Sequence, residues 1–163
     1  MKTIITITLI LVSAILQAQR FDWVTTAGYS GVANGSYGAL AIARDSQGNL
    51  YTLDGANGQQ ECQGVTAESF SGGVTTFLYK FNVSGELQYI KPIGGNFEPV
   101  NIQVGENDNL YLLGALVGSS VFIVDGVTIN GIENRNYILK FDPSGSLLWN
   151  VPNNESFGGH SAA

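Results

Sequence analysis

Apolar and aromatic residues recur along the chain in short runs that alternate with polar turns. In one stretch the runs lie near Leu40–Arg44, Leu50–Asp54, Thr75–Asn82 and Leu87–Lys91. Further along they lie near Val100–Val104, Asn109–Gly114, Asn136–Asp142 and Ser146–Val151. Runs of this length, without the period of about 3.6 residues that marks an amphipathic helix, predict strands. The predicted fold class is all-β.

The joints between the runs are of two kinds. The short joints at 45–49, 82–85, 105–109 and 142–145 are rich in Asp, Asn, Ser and Gly, which favour tight hairpins. The long joints at 55–74 and 115–135 separate the second run of each set from the third. They leave room for extra short strands, such as one at Val121–Val124.

The two sets of runs are displaced by a constant 60 positions. Asn49-Leu50-Tyr51-Thr52-Leu53 matches Asn109-Leu110-Tyr111-Leu112-Leu113, and residues 77–82 match residues 137–142 in the same way. This offset predicts a structural repeat. Its expected structural positions are aromatic: Tyr37, Tyr51, Phe77, Phe81 and Tyr89 in the first unit, and Phe97, Tyr111, Tyr137, Phe141 and Trp149 in the second.

Four antiparallel strands that recur at a fixed period are typical of a β-propeller blade. We therefore predict a partial β-propeller with about two four-stranded antiparallel blades and the start of a third. The expected organisation is a signal peptide at 1–18, a lead-in strand and loop at 19–36, repeats at 37–96 and 97–156, and a truncated third repeat at 157–163. Because propellers close with about 4–8 blades, we expect the natural protein to extend further or several copies to close one ring.

Three segments resemble the SBBP-type repeats of secreted bacterial β-propellers: Gly48-Asn49-Leu50-Tyr51, Phe77-Leu78-Tyr79-Lys80-Phe81 and Asp142-Pro143-Ser144-Gly145-Ser146-Leu147-Leu148-Trp149. Such repeats commonly read D-x-x-G-N-x-Y, then F-x-x-K-Y/F-D, then G-x-L-x-W. The resemblance covers nearly the whole chain after residue 18, but residues 57–71 depart from it. It implies the propeller fold and assigns no activity.

The amino terminus has the pattern of a secretory signal peptide. Met1-Lys2 precedes an uncharged, largely apolar run from Thr3 to Leu16, and a small residue, Ala18, offers a cleavage site. The leader is similar to those of Bacteroidetes-type exported proteins. A buried first strand of a cytosolic protein is the alternative interpretation. We expect a secreted or cell-surface protein that has no membrane span once the signal is removed, since no later run reaches the ~20 residues that a spanning helix needs.

Composition narrows the classes of function. The formal net charge is −6, and the seven basic residues never cluster, which disfavours nucleic acid as a partner. Cys62 is the only cysteine, so the chain has no internal disulfide, and we interpret this residue as a loop cysteine rather than a nucleophile.

Carboxylates near the predicted hairpins are the first candidates for metal binding. They lack the alternating series of oxygen ligands found in calcium loops, so we interpret them as turn-forming residues: Asp45, Asn49, Glu106, Asp108 and Asp142. The long joints and the joint between repeats should meet on one rim of a propeller. The best candidates for a ligand-binding rim there are Asp54, Glu98, Asp125 and Glu155, with ordinary solvated charge as the alternative. Trp23, Tyr89 and Trp149 recur at equivalent places, where we expect packing between blades.

The sequence offers no set of residues for catalysis, metal binding or cofactor binding, since the chain has a single histidine, His160. The favoured function is an exported binding or scaffold module for a protein or glycan partner. One alternative is a lyase or glycosidase whose catalytic residues lie in blades outside this sequence. A second alternative is a purely structural cell-envelope protein. Self-association through exposed blade faces is also expected.

Overall fold

The computed structural model describes residues 27–29, 36–70 and 73–156, with side chains described over 41–70 and 73–153. The predicted signal peptide, Trp23 and the start of the third repeat lie outside these residues. The strands are β1 Ala27–Tyr29, β2 Ser36–Arg44, β3 Leu50–Ala56, β4 Gln60–Cys62, β5 Val65–Ala67, β6 Thr75–Phe81, β7 Leu87–Gly94, β8 Phe97–Val104, β9 Leu110–Leu116, β10 Val121–Val124, β11 Val127–Asn130, β12 Arg135–Phe141 and β13 Leu147–Ser156. A 3-10 turn spans Glu106–Asp108.

Two four-stranded antiparallel groups form the body of the described chain. Unit 1 contains β2, β3, β6 and β7, and unit 2 contains β8, β9, β12 and β13, each paired in that order. Their registers correspond: Leu50 pairs with Phe81 in unit 1, and Leu110 pairs with Phe141 in unit 2. The prediction of an all-β, partial propeller-like fold with antiparallel sheets is confirmed.

A β-hairpin is inserted between the second and third strands of each unit. In unit 2 it is β10–β11, at the place where the sequence predicts an extra strand at Val121–Val124. In unit 1 it is β4–β5, which the sequence did not predict. Both hairpins turn through two residues with positive φ, Gln63-Gly64 and Asp125-Gly126. That backbone geometry is the type I′ turn, which suits the twist of a two-residue hairpin.

The turn-forming role predicted for the hairpin carboxylates is seen at Asp45 and Asp142, whereas the carboxylate of Asp108 accepts hydrogen bonds from Ser46 in a different hairpin. The Asp45 Oδ1 accepts hydrogen bonds from the backbone N–H groups of Gln47, at 3.0 Å, and Asn49, at 2.8 Å. The Asp142 Oδ1 does the same for Ser144 and Ser146, both at 2.9 Å. These side chains use their acceptors to hold their own turns.

Strand alternation gives each unit two faces. We call front face the side of unit 1 that carries Tyr51 and Leu53, together with the corresponding side of unit 2 with Tyr111 and Leu113. The opposite side is the back face. The front face of unit 1 packs against the back face of unit 2, and this contact forms the larger core. Its buried members are Tyr51, Leu53, Leu78, Ile93, Phe97, Ile102, Leu110, Leu112, Leu116, Phe122, Val124, Tyr137, Leu139 and Phe141.

A smaller core lies on the back face of unit 1. It contains Ala56, Cys62, Phe77, Tyr79 and Phe81. The expectation that Cys62 lies in a loop is wrong: it lies in β4 and is only 1% exposed. The hairpin β4–β5 folds over the sheet and carries this small side chain into the apolar layer.

Candidate functional site

The front face of unit 2 is an apolar sheet surface that is partly exposed to solvent. Tyr111, Leu113 and Ile138 on it are partly exposed. Trp149 and Val151 on β13 are 39% and 44% exposed. Large apolar groups gathered on one exposed face are typical of an interaction surface.

A lysine lies among the aromatic rings of this face. The Lys140 Nζ lies 5.2 Å from the centroid of the Tyr111 ring and 5.9 Å from that of Trp149. The two rings meet edge to face, with centroids 6.1 Å apart. Each cation–π contact at an exposed site contributes about 0.5–1 kcal/mol. Lys140 is therefore held over the two rings of this face.

The front face of unit 1 shows what such a surface does when it is covered. Its Tyr51, Leu53 and Leu78 correspond to Tyr111, Leu113 and Ile138, and all three are 0% exposed. Lys80 corresponds to Lys140 and lies over the Tyr51 ring at the same distance, 5.2 Å. Unit 2 provides the cover, since its back-face residues share one core with these side chains.

Polar contacts join the two units around that core. The Lys80 Nζ donates a hydrogen bond of 2.8 Å to the Pro143 carbonyl oxygen in the last turn of unit 2. Gly145, in the same turn, lies so close to the Tyr89 ring that a Cβ there would be 2.9 Å from its Cζ. At another turn, Ser46 donates from its N–H and its hydroxyl to the two carboxylate oxygens of Asp108. The arrangement positions one unit on the next through both side chains and turns.

The four rim candidates lie in different surroundings. Asp54 is in β3 and half-buried, and Glu98 is half-buried in β8, opposite Ala115. Asp125 lies in the β10–β11 turn and forms an ion pair with Lys91. Glu155 belongs to β13, but its side chain is outside the described part of the chain. Within the described residues, no three of the His, Cys, Asp and Glu side chains lie together in a way that could hold a metal ion.

The carboxyl group of Asp54 is perturbed by burial. It is opposite Phe77 in the sheet, and within the described structure its buried Oδ1 has no hydrogen-bond partner. Burial raises its pKa, and a backbone hydrogen bond involving Gly55 only partly offsets this. The hydroxyl of Tyr79 is also buried without a partner, and burial together with the charge of Asp54 raises the pKa of that phenol. These groups place polarity in the core but do not form a set of ligands.

Asn96 contacts the two long joints from its place in the joint between the units. This residue lies in the joint between the units, with φ of 58°. Its Oδ1 accepts from the Val74 N–H at 2.9 Å, at the end of the long joint of unit 1. Its Nδ2 donates to the carbonyl of Val117, at the start of the long joint of unit 2. One amide side chain thus ties together three connections.

The sequence analysis identified Tyr111 and Trp149 as structural positions but missed Leu113, Ile138 and Lys140 as parts of one surface. The signal was present, since residues 53, 78 and 80 show the same residue character 60 positions earlier. The sequence does not show which face of each unit is covered by a neighbouring unit.

The function of this surface is inferred from its geometry, because two comparisons with known proteins found no match. No protein-family model matches the chain, and the search of curated proteins finds no match. Across the described residues, no helix is long and apolar enough to cross a membrane.

Proposed function

We propose that this protein is an exported scaffold of the SBBP-type repeat family that binds a protein partner through the front face of unit 2. The observation that carries the proposal is the contrast between matched surfaces. Tyr51, Leu53 and Leu78 are fully covered by a protein sheet, whereas their counterparts 60 positions later are partly exposed. A surface of the same composition and geometry is suited to the same kind of partner.

This contrast favours a protein over a glycan. A sugar-binding platform needs an aromatic face that stays accessible, together with polar groups that fix the hydroxyl groups. Here Trp149 and Tyr111 meet edge to face and Lys140 covers part of both rings. The corresponding Tyr51, Tyr89 and Lys80 pack against apolar side chains and a backbone carbonyl.

Export and repeat membership belong to the same proposal. The uncharged run from Thr3 to Leu16, followed by Ala18, supports removal of a signal peptide. The paired strand registers and the constant spacing of 60 residues support a repeat of one ancestral unit. If export is correct, the mature protein in its native fraction should begin at Gln19, which amino-terminal sequencing would show. A protein that retains Met1 would contradict export.

Residue-resolved oxidation by hydroxyl radicals tests the binding surface. The protein is footprinted in its native fraction and again after purification and strong dilution. We expect Trp149 and Tyr111 to be oxidised severalfold more slowly in the native fraction, because a partner covers them there. Leu113→Glu should abolish this protection, since the charge would have to be buried against the partner. The matched control Val127→Glu, on an exposed strand outside the front face, should leave it intact.

Equal oxidation of Trp149 in both preparations would rule out a partner at this face. If a purified glycan added to the diluted protein protects Trp149, the partner at this face is a carbohydrate and not a protein.

A further inference from the structure

We infer that strand β11, at the edge of the six-stranded sheet, is a second docking site. Its occupant is an extended segment of another protein that is uncharged along the strand and carries lysine or arginine at its ends. The site lies outside the front face of unit 2 and does not depend on the function proposed for that face. Binding here takes a different form, in which the partner adds a strand to the sheet.

Strand β11 has one sheet neighbour within the described part of the chain. It begins the order β11-β10-β7-β6-β3-β2, so its other side is the edge of the sheet. Three of its four residues are exposed, and Val127 is exposed by 62%. The backbone N–H and C=O groups along such an edge are a template on which another strand can pair.

The hairpin turn fixes the pattern of hydrogen bonds between β10 and β11. Asp125-Gly126 is a two-residue turn, so Val124 and Val127 on either side of it form a hydrogen-bonded pair. Such pairs recur at every second residue of an antiparallel ladder. The Gly131 N–H donates to the Ser120 carbonyl oxygen at 2.7 Å, which has the phase that this alternation requires.

The remaining residues of β11 therefore point their backbone groups outward. Val127 and Ile129 use their N–H and C=O groups toward β10, whereas Thr128 and Asn130 turn theirs toward the edge. The two outward residues are separated by one strand repeat of about 6.8 Å. An added antiparallel strand can form hydrogen bonds with all four of their backbone groups.

The edge of β11 is regular, whereas the other terminal strands of the two larger sheets are interrupted. The register of β2 against β3 is shifted, and β8 has a shift next to Pro99. The register of β13 is also shifted, and this strand contains Pro152. Bulges and proline prevent a sheet edge from pairing. Strand β11 pairs with β10 without a shift and contains neither proline nor a charged residue, so its edge is suited to pairing.

The side chains of β11 specify an alternating partner. Ile129 packs against the larger core, and Val127, two positions away, lies on the same side of the hairpin. An antiparallel partner would meet these two residues in pairs without hydrogen bonds, where side chains approach most closely. The partner should therefore carry apolar side chains opposite Val127 and Ile129, and polar side chains opposite Thr128 and Asn130.

Acidic residues near both ends of β11 specify the charge of the partner. Asp125 lies just before the strand and is 44% exposed, although it pairs with Lys91. Glu133 lies shortly after the strand and is exposed, in a chain with a formal net charge of −6. A segment with lysine or arginine beyond its apolar residues would place positive charge near both carboxylates.

The same two acids disfavour a second copy of this chain as the occupant. In the antiparallel register that uses all four outward groups, Thr128 of one copy lies opposite Asn130 of the other. That register brings Asp125 of each copy toward Glu133 of the other, and like charges that face each other destabilise a strand pair. A segment of a different protein is therefore the occupant that the charges favour.

The peptide Lys-Thr-Val-Thr-Val-Lys tests the site on the full chain. Amide hydrogen exchange is measured residue by residue by NMR, with and without excess peptide. We expect the amides of Thr128 and Asn130 to exchange severalfold more slowly with the peptide, because they gain hydrogen-bond acceptors. The amides of Val127 and Ile129 already bond to β10 and should change less. This alternation is the signature of an added strand.

Matched peptides and variants separate pairing from nonspecific contact. A peptide with proline in place of its second threonine lacks an N–H that the edge would accept, and should give no protection. A peptide with glutamate in place of both lysines should bind more weakly. Val127→Lys places a charge on the exposed edge and should abolish protection. The control Val65→Lys, just after the turn of the other hairpin, should leave it intact.

Unchanged exchange at Thr128 and Asn130 in excess peptide would overturn the inference, and so would equal binding of the lysine and glutamate peptides. If these two amides are protected in the protein alone and lose protection on dilution, the occupant is a second copy. A peptide that instead slows the oxidation of Trp149 binds the front face, which would exclude β11 as its site. The proposed function fails separately, when Trp149 is not protected in the native fraction.

Discussion

Two aspartates of unit 1 show how differently the same side chain behaves in this sheet. Asp45 accepts hydrogen bonds from Gln47, Asn49 and the hydroxyl of Tyr51. Burial opposes its ionisation, but these hydrogen bonds outweigh burial and lower its pKa. Asp54 lies on the back face with an unpartnered oxygen, and burial raises its pKa. Surroundings, rather than residue type, decide which aspartate stabilises the fold.

The pH dependence of stability should therefore have opposite signs at the two positions. Asp45→Asn should cost about 2 kcal/mol at neutral pH, since hydrogen bonds to a charged acceptor are worth about 1.5–3 kcal/mol. Because the folded pKa of Asp45 is depressed, this cost should be present above the unfolded pKa of about 3.9 and shrink as pH falls through the folded value. Urea unfolding of the wild type and the variant between pH 2 and pH 7 measures the difference.

Asp54→Asn is the matched control. The folded pKa of Asp54 is raised, so the protonated wild-type residue contributes most below the unfolded pKa and loses its contribution as pH rises through the folded value. The variant should gain stability relative to wild type as pH rises. Differences that do not change with pH at either position would contradict both assignments.

At the scale of elements, the inserted hairpins are what set these units apart from plain four-stranded blades. The hairpin β10–β11 contributes Phe122 and Val124 to the core between the units and extends the sheet of unit 1 through β7. The Lys91–Asp125 pair at its tip is partly exposed, and such pairs contribute little. Packing of the hairpin should therefore matter more than its ion pair.

Phe122→Ala should destabilise the protein by about 3–5 kcal/mol, because a fully buried ring that contacts two other rings leaves a cavity. The control Val127→Ala, on the neighbouring strand and 62% exposed, should change stability by less than about 0.5 kcal/mol. Equilibrium unfolding in urea, followed by circular dichroism, measures both. A cost below about 1 kcal/mol for Phe122→Ala would show that the hairpin is not part of the core.

At the scale of the whole molecule, the larger core lies between the units rather than within either one. The outer strands of the two back faces differ in their cover: Ile102 in β8 is 2% exposed, whereas its counterpart Ile42 in β2 is 65% exposed. In such arrays stability is approximately a sum of unit terms and nearest-neighbour terms. We expect units 1 and 2 to unfold together, because the front face of unit 1 and the back face of unit 2 are buried against each other.

Neighbouring leucines in β9 test this expectation. Leu112 faces unit 1 and is 0% exposed, whereas Leu113 lies on the front face and is partly exposed. Leu112→Ala should cost about 2–5 kcal/mol and lower the midpoint of a single unfolding transition. Leu113→Ala should cost less than Leu112→Ala, since Leu113 keeps part of its surface exposed to solvent and leaves no closed cavity. Equal costs, or two separate transitions in Leu112→Ala, would contradict a shared core.

The amino-acid sequence by itself determined the strands, the hairpin turns and the spacing of the two units. These features depend on local chemistry: alternation along each strand, and Asp, Asn and Gly at positions such as Asp45, Asp142 and Gly126, where the backbone must turn. The first inserted hairpin escaped prediction because its strands have three residues each, too short for an alternating pattern to be recognised.

Only the tertiary structure decided which partners these elements take. The pairing of β10 with β7, the burial of Cys62 and the contrast between Leu53 and Leu113 all depend on contacts between residues distant in sequence. Leu53 and Leu113 occupy the same position of the repeat, yet Leu53 is fully covered and Leu113 is partly exposed. The exposed fraction of a side chain depends on which unit packs against it. No local sequence pattern encodes which unit that is.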